Sequence, residues 1–140
     1  MRRFSAALVL AATLSLFPTP GPASAGTGDN KPYHYVSNNI CPIEWRRGPR
    51  QVKRLVRCTA RHWGVSIRTA LHVAQRESNF RHRAYNGSSC ASGIFQHLCH
   101  YWPGRARLYG FRNRSAFNAR ANIIVTMRMV RRGGWDPWGY

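Results

Sequence analysis

Acidic residues are scarce in this sequence. Its 140 residues include four of them, Asp29, Glu44, Glu77 and Asp136, against 22 lysines and arginines, and the formal charge is +18. A chain this basic is expected next to polyanions such as nucleic acid, anionic lipid or an acidic cell envelope. The basic residues are scattered along the chain, and no nucleic-acid-binding motif is recognisable, which argues against nucleic acid as the partner.

Long apolar runs are lacking after residue 25. The chain starts with Arg2 and Arg3, continues with a short apolar run over residues 6–17, and reaches the small-residue triplet Ala23-Ser24-Ala25. This order is typical of a secretory signal peptide over residues 1–25. An uncleaved membrane anchor is the alternative, but a span needs about 20 apolar residues. We therefore expect a secreted, cell-wall-associated protein with no transmembrane segment after signal cleavage.

The remaining length allows one domain. Residues 26–49 begin with a polar stretch and contain several prolines and glycines, so we expect an irregular lead-in that is partly packed. Residues 50–140 form the predicted domain, which we expect to be a monomer.

Cysteine is also sparse, with four residues in the chain. In a small exported domain, an even number of cysteines favours disulfides. Of the three possible pairings, we favour Cys41–Cys58 and Cys90–Cys99, because each closes a short loop. Each bridge is expected to add about 2–4 kcal/mol of stability.

Zinc binding is the alternative use of these side chains. His97, Cys99 and His100 are close in sequence, and His62, His72 and Cys90 lie elsewhere. The sequence has no Cys-x-x-Cys pair and no matching His-x3–5-His element, which structural zinc sites commonly use. We therefore predict no metal and no cofactor.

The apolar spacing predicts helices over residues 50–63, 67–80 and 115–132, with a short helix over 105–110. Gly64 is expected to end the first helix, and Ser66 and Ser115 to cap the second and the last. No stretch shows convincing strand alternation. The predicted class is all-α, with at most a minimal sheet, long loops and two disulfides.

The second predicted helix carries one of the rare carboxylates. Its apolar face is formed by residues at helical spacing: Ile67, Ala70, Leu71 and Ala74. The same stripe continues to Glu77 and Ser78. Burial there favours the protonated carboxyl, which suits a general acid. Alternatively, Glu77 turns outward and pairs with Arg76 or Arg81.

A general acid at a helix end fits the cleavage of a glycosidic bond, in which the leaving oxygen must be protonated. Most glycosidases add a second carboxylate as nucleophile or base. Only Glu44 and Asp136 are available for that role, and both lie in loop-like segments. A mechanism with a single carboxylate fits the composition better.

Three segments in this order resemble the signatures of the lytic transglycosylase (SLT-type) domain of the lysozyme-like superfamily. They are Arg76-Glu77-Ser78-Asn79-Phe80, Ala91-Ser92-Gly93-Ile94-Phe95-Gln96 and Asn118-Ala119-Arg120-Ala121-Asn122-Ile123. The resemblance covers roughly residues 52–140. It implies a small lysozyme-like helical domain that cleaves the β-1,4 bond between N-acetylmuramic acid and N-acetylglucosamine in peptidoglycan.

The resemblance also implies roles for individual residues. Glu77 is expected to protonate the leaving oxygen and then act as base, while the C6 hydroxyl of the muramic acid attacks C1 and forms a 1,6-anhydro sugar. The expected substrate-binding residues are Ser78, Gly93, Phe95, Gln96, Asn122, Trp135 and Trp138. Simpler interpretations remain: Ser78 bonds to its own helix, Gly93 serves a turn, Gln96 lies at the surface, and the two tryptophans cap the core.

The C-terminal segment departs from the family pattern. Longer members carry an Ala-Tyr-Asn-x-Gly signature, and this chain has Trp135-Asp136-Pro137-Trp138-Gly139-Tyr140 in that place. Simple hydrolysis, with water activated by Glu77 or Asp136, therefore stays open. A non-catalytic cationic protein that binds the wall is a third alternative. The expected partners are peptidoglycan glycan strands and anionic cell-envelope polymers.

Overall fold

The computed structural model describes residues 40–140, so the predicted signal peptide and most of the lead-in lie outside the described residues. The described part is mostly helical and contains α1 (Pro49–His62), α2 (Ile67–Ser78), α3 (Trp102–Leu108), α4 (Ala119–Gly133), and short 3-10 helices at Trp45–Arg47 and Asp136–Trp138. A two-stranded sheet joins β1 (Tyr85–Asn86) to β2 (Ala91–Ser92). The prediction of an all-α class with a minimal sheet is confirmed.

Helix α1 matches its prediction closely. Pro49 occupies the first turn, where a missing amide hydrogen costs nothing. The helix ends at His62, and Gly64 follows with φ of +65°, a conformation that glycine adopts without strain. The residues at helical spacing on one face are buried, Val52, Leu55, Val56 and Thr59, and Trp63 at the end of this face is partly buried.

Helix α2 begins as predicted, with Ser66 Oγ accepting a hydrogen bond from the amide of Thr69 at 3.3 Å. It ends at Ser78, two residues earlier than predicted, because Asn79 and Phe80 both take positive φ angles. Its buried face is centred on Ala70, Val73, Ala74 and Ser78. Glu77 therefore lies at the edge of this face and not on its centre.

The last two helices differ from prediction at their starts. Helix α4 begins at Ala119, four residues later than expected, because the Asn118 side chain caps it by accepting from the amide of Ala121 at 3.1 Å. Ser115 accepts from the amide of Phe117 in the preceding turn instead. Helix α3 begins at Trp102, earlier than expected, because Pro103 is compatible with a first turn.

Helix α4 is buried on almost every side and separates two apolar clusters. The first cluster joins α4 to α1, α2, the loop after β2 and the C-terminal segment; its larger members include Leu55, Val56, Val73, Ile94, Phe95, Ile123 and Met127. The second joins the other face of α4 to α3 and the segment after it: Trp102, Tyr109, Phe111, Ile124 and Val125. Through these contacts α4 supports both α2 and the loop after β2.

Both predicted disulfides are confirmed. Cys41 and Cys58 join the segment before the first 3-10 helix to α1, with Cα atoms 6.0 Å apart. Cys90 and Cys99 close the loop that contains β2, with Cα atoms 5.5 Å apart. Within residues 40–140, no helix has the length and apolar character needed to cross a membrane.

The pairing predicts a specific set of cross-linked peptides. Proteolysis without reduction should release one peptide pair that contains Cys41 and Cys58 and another that contains Cys90 and Cys99, both identified by mass spectrometry. Reduction should separate each pair. A peptide that links Cys58 to Cys90 would contradict the pairing.

Candidate active site

Glu77 lies in the last turn of α2, and its side chain is 23% exposed. Its Oε1 accepts hydrogen bonds from Nη2 and Nε of Arg76 at 2.7 and 3.0 Å. The side-chain hydrogen bond to Glu77 raises the pKa of the Arg76 guanidinium. The predicted burial of Glu77 is therefore only partial, and the alternative pairing with Arg76 is present.

Arg76 also connects α2 to the C-terminal segment. Its Nη2 donates to the carbonyl oxygen of Trp138 at 2.5 Å, and its guanidinium lies 5.0 Å from the ring centre of Tyr140. One cation thus contacts the candidate acid and the C-terminal 3-10 helix together. The contact between Arg76 and Trp138 spans 62 residues, so only the pairing of Arg76 with Glu77 was predictable from the sequence.

Gln96 is held next to Glu77 by the loop after β2. Its Nε2 donates to the carbonyl oxygens of Gly93 and Ala84 at 2.8 and 3.2 Å. Its φ of +47° is a left-handed conformation that is costly for a non-glycine residue. These two hydrogen bonds stabilise that conformation.

Glu77 and Gln96 share two neighbouring cavities. One, of about 430 Å³, is lined by Arg76, Glu77, Gln96, Leu98, Tyr101, Arg105, Pro137 and Trp138. The other, of about 720 Å³, is lined by Glu77, Arg81, Arg83, Ala84, Tyr85, Asn86, Gly87 and Gln96. The structure therefore brings together these two predicted site residues, and Glu77 supplies the one carboxylate in either wall.

Gly93 lets the loop after β2 approach α4 of the same chain. Its φ is +80°, and a Cβ atom at this position would collide with the carbonyl oxygen of Ala116 and the side-chain amide of Asn122. The residue is buried in the described structure. These observations favour the simpler interpretation of Gly93 as a structural residue.

Asn122 and Phe95 are structural as well. Asn122 is fully buried; its Oδ1 accepts from the amide of Phe95 at 3.0 Å, and its Nδ2 donates to the carbonyl oxygens of Ala116 and Ser92 at 2.9 and 3.3 Å. The Phe95 side chain is also fully buried. Neither side chain reaches the surface, so both support the loop from within the core.

Ser78 follows the simpler interpretation. Its side chain is buried, and Oγ donates to the carbonyl oxygen of Ala74 at 3.1 Å, one turn earlier in α2. This hydroxyl is used in a hydrogen bond to the backbone of its own helix.

The two C-terminal tryptophans belong mainly to the core. Trp138 is 9% exposed, and its indole Nε1 donates to the carbonyl oxygen of Phe95 at 2.8 Å. Trp135 is partly buried, with its ring centre 5.5 Å from that of Trp138. This burial favours the alternative that the two tryptophans cap the core. Pro137 and Trp138 do line the cavity of about 430 Å³.

His97 holds Arg105 in the wall of the same cavity. Arg105 Nη1 donates to His97 Nδ1 at 2.8 Å, and His97 Nε2 lies 2.8 Å from Thr126 Oγ1, whose hydroxyl donates to the carbonyl oxygen of Asn122. This arrangement assigns the proton of a neutral imidazole to Nε2. Burial, with a smaller contribution from Arg105, lowers the pKa of His97 to about 3.

The zinc alternative does not fit this arrangement. Cys90, Cys99 and His100 lie close enough to share an ion, but the two sulfur atoms are bonded to each other. Thiolates, which are the zinc ligands, are therefore not available. Both ring nitrogens of His97 are already used.

Five residues in the wall of the cavity of about 430 Å³ were not among the predicted site residues: Arg76, Leu98, Tyr101, Arg105 and Pro137. They come from different parts of the chain, and no local pattern joins them. A basic residue near an apolar helix face is too common in this chain to be informative.

Comparison with protein-family models, with curated proteins and with solved structures finds no match. The geometry of Glu77 and its neighbours, together with the motif resemblance, is therefore what points to a function.

Gly93→Ala should destabilise the fold. The new methyl group needs space that Ala116 and Asn122 already occupy, and alanine is strained at this φ, so we expect a loss of about 2–5 kcal/mol in the free energy of unfolding. Gly104→Ala is the matched control, since this position in α3 has no neighbour within 4 Å and no positive φ. Denaturant titration should leave the control unchanged or slightly stabilised, and equal losses would contradict the packing argument.

Stability should fall in acid because of His97. The unfolded imidazole titrates near 6.5 and the folded one near 3, so between these values the unfolded chain binds more protons. For each unit by which the pH falls in this window, the free energy of unfolding should decrease by about 1.4 kcal/mol. His97→Gln should remove this part of the dependence, and an NMR titration of the wild-type ring should show no protonation at pH 5.

Proposed function

We propose that this protein is a secreted peptidoglycan-cleaving enzyme, a lytic transglycosylase that acts on the MurNAc-β-1,4-GlcNAc bond with Glu77 as its single general acid and base. The main support is that Glu77 is the one carboxylate in the walls of the two cavities it shares with Gln96. Retaining and inverting hydrolases usually need two carboxylates across the scissile bond. A site with one acid favours attack by a group of the substrate itself.

The volumes of the two cavities are compatible with the binding of a polymer. Cavities of about 430 and 720 Å³ lie on either side of Glu77 and Gln96, within the range of about 300–1,000 Å³ common for ligand sites. A glycan strand bound across both would place a glycosidic bond next to Glu77. The two cavities would then bind the sugars on opposite sides of that bond.

The proton transfers follow from one carboxyl group. Protonated Glu77 donates to the leaving oxygen of N-acetylglucosamine as the bond to C1 of the muramic acid breaks. The C6 hydroxyl of the same muramic acid then attacks C1, and the Glu77 carboxylate accepts the hydroxyl proton. Glu77 is restored, and water is not consumed.

Arg76 holds the Glu77 side chain in place in the free protein. It donates two hydrogen bonds to Glu77 Oε1, so this oxygen is occupied before a substrate binds. A leaving oxygen that approaches Oε1 would have to displace these bonds. The other contacts of Arg76, with Trp138 and Tyr140, would keep the guanidinium in the wall of the site.

Gln96 is suited to orient the substrate. Its amide hydrogens are directed to two carbonyl oxygens of the protein, and no donor in residues 40–140 reaches Oε1. This oxygen is left to accept a hydrogen bond from a sugar hydroxyl or an acetamido N–H. Because the loop is fixed by Asn122, the acceptor would be held in place before the substrate arrives.

Export agrees with the remaining features. Two disulfides persist most readily in oxidising compartments, and the basic cavity walls favour an anionic surface such as a cell wall. The peptidoglycan and the anionic polymers of the cell envelope are accordingly the proposed partners.

Glu77→Gln should abolish cleavage. The amide keeps the size of the side chain but cannot transfer a proton, so the rate of fragment release from purified peptidoglycan should fall by at least about 10²–10⁴-fold. Glu44→Gln is the matched control, because Glu44 is exposed, caps the first 3-10 helix and lines neither cavity beside Glu77. The control should retain wild-type activity, and both variants should keep the wild-type circular dichroism spectrum.

The product distinguishes the mechanisms. Intramolecular attack leaves muramic ends that are one water lighter than hydrolytic ends, which mass spectrometry of the released fragments resolves. Reducing ends alone would identify a lysozyme-like hydrolase and make Asp136 the candidate base. Equal behaviour of wild type and Glu77→Gln would contradict the enzyme and favour a non-catalytic wall binder.

A further inference from the structure

A basic cavity lies apart from Glu77. It has a volume of about 560 Å³, and its wall includes the four arginines Arg46, Arg112, Arg114 and Arg120 together with Asn113 and Asn118. None of the residues in its wall is acidic. The proposed cleavage does not use this cavity.

The four arginines are held in different ways. Arg120 is anchored, since its guanidinium donates to the carbonyl oxygen of Ile40 and, at 3.0 Å, to that of Ile43. Arg46 lies 3.6 Å from Glu44 in an exposed ion pair, and Glu44 also acts electrostatically on Arg120. Glu44 thus neutralises part of the charge at one end of the cavity.

Arg112 and Arg114 carry the charge that remains. Both side chains are exposed, and neither forms an ion pair with a carboxylate of residues 40–140. They follow Phe111, which is buried in the cluster around α3, and the backbone of Arg114 is held by hydrogen bonds to Phe111 and to the Trp102 indole. The result is a concave surface with one anchored guanidinium group, that of Arg120, further exposed ones and two side-chain amides.

A row of cavities connects this surface with the candidate active site. A cavity of about 460 Å³ shares Trp45, Arg46 and Asn118 with the basic cavity, and it shares Arg83 with the cavity of about 720 Å³ that contains Glu77. At this junction the pKa of His82 is lowered by desolvation and then by the charges of Arg83 and Arg46. The positive potential therefore extends along the row.

We propose that the basic cavity binds phosphodiester groups of an anionic polymer carried on the glycan strand that occupies the Glu77 site. The identity of that glycan rests on the proposed function; the phosphate site itself does not. Bound this way, the polymer would direct cleavage to strands that bear it.

Phosphodiesters fit the side chains better than other anions do. A guanidinium presents paired N–H donors that match two oxygens of a phosphate, and several guanidinium groups can contact one such group. A phosphodiester also keeps its charge at every pH that a cell wall reaches. Repeated phosphates along a flexible chain would contact Arg112 and Arg114 together.

The test uses the protein without residues 1–25. Its binding to labelled poly(glycerol phosphate) is measured by fluorescence anisotropy at several salt concentrations. The site variant is Arg112→Gln with Arg114→Gln. The matched control is Arg57→Gln with Arg61→Gln, which removes the same charge from two exposed positions of α1. Both positions lie outside the walls of these cavities. We expect the site variant to lose at least about tenfold in affinity and to reduce the salt slope by about 1.4, for two lost phosphate contacts. The control should lose less than about threefold.

Several outcomes would overturn the proposal. Equal losses in the two double variants would show that net charge alone binds the polymer. Equal affinity for poly(glutamate), a polymer of carboxylates, with the same number of charges would show a general polyanion surface. Full competition by inorganic phosphate at the polymer's phosphate concentration would show a site for single phosphates.

A second measurement separates this proposal from the proposed function. The site variant should cleave polymer-free peptidoglycan at the wild-type rate, since its substitutions lie outside the cavities around Glu77. Absence of cleavage by the wild type would contradict the enzyme but not the phosphate site. A tenfold slower cleavage by the site variant on polymer-free peptidoglycan would contradict the assignment of these arginines to a separate site.

Discussion

The buried side chain of Asn122 is the contact on which the candidate site depends. Its amide bonds to Phe95, Ser92 and Ala116, and so attaches the loop after β2 to the centre of α4. A buried amide group without hydrogen-bond partners costs about 1–3 kcal/mol of stability. The hydrogen bonds of Asn122 avoid this cost. The close approach is possible because the loop residue next to Asn122 is Gly93. Gln96 is thereby presented to Glu77 from a rigid support.

The ion pair between Glu77 and Arg76 also constrains this region. Glu77 is one of four acidic residues in a chain of charge +18, and its nearest partner is Arg76. The Arg76 guanidinium also binds the C-terminal 3-10 helix, whose Trp138 bonds back to the Phe95 carbonyl. The candidate acid, the tail and the loop thus form one connected network. A substitution in any one of these three parts is expected to alter the positions of the other two.

The predictable and unpredictable parts of the site differ in the range of the interactions that create them. Helix α2 and its Ser66 cap were predictable because they follow from spacing within one or two turns. The local disulfides were predictable for the same reason. The roles of Phe95, Asn122, Ser78 and Trp138 were not, because a motif marks a residue without telling whether it touches the ligand or supports one that does. The start of α4 was misplaced since both Ser115 and Asn118 are capable caps, and only the packing of Ala119 and Ala121 decides between them.

The sequence by itself determined the mostly helical class, the disulfide pairing, the strong positive charge and the position of a rare carboxylate at the end of a helix. These properties depend on composition and on local spacing, which the chain carries in any conformation. Tertiary structure decided that Gln96 lies beside Glu77, that Arg76 binds both the acid and the tail, and that His97 stays neutral between Arg105 and Thr126. Each of these three features depends on burial or on contacts between residues far apart in the chain. Burial and long-range contacts arise only when the other elements pack against the two faces of α4.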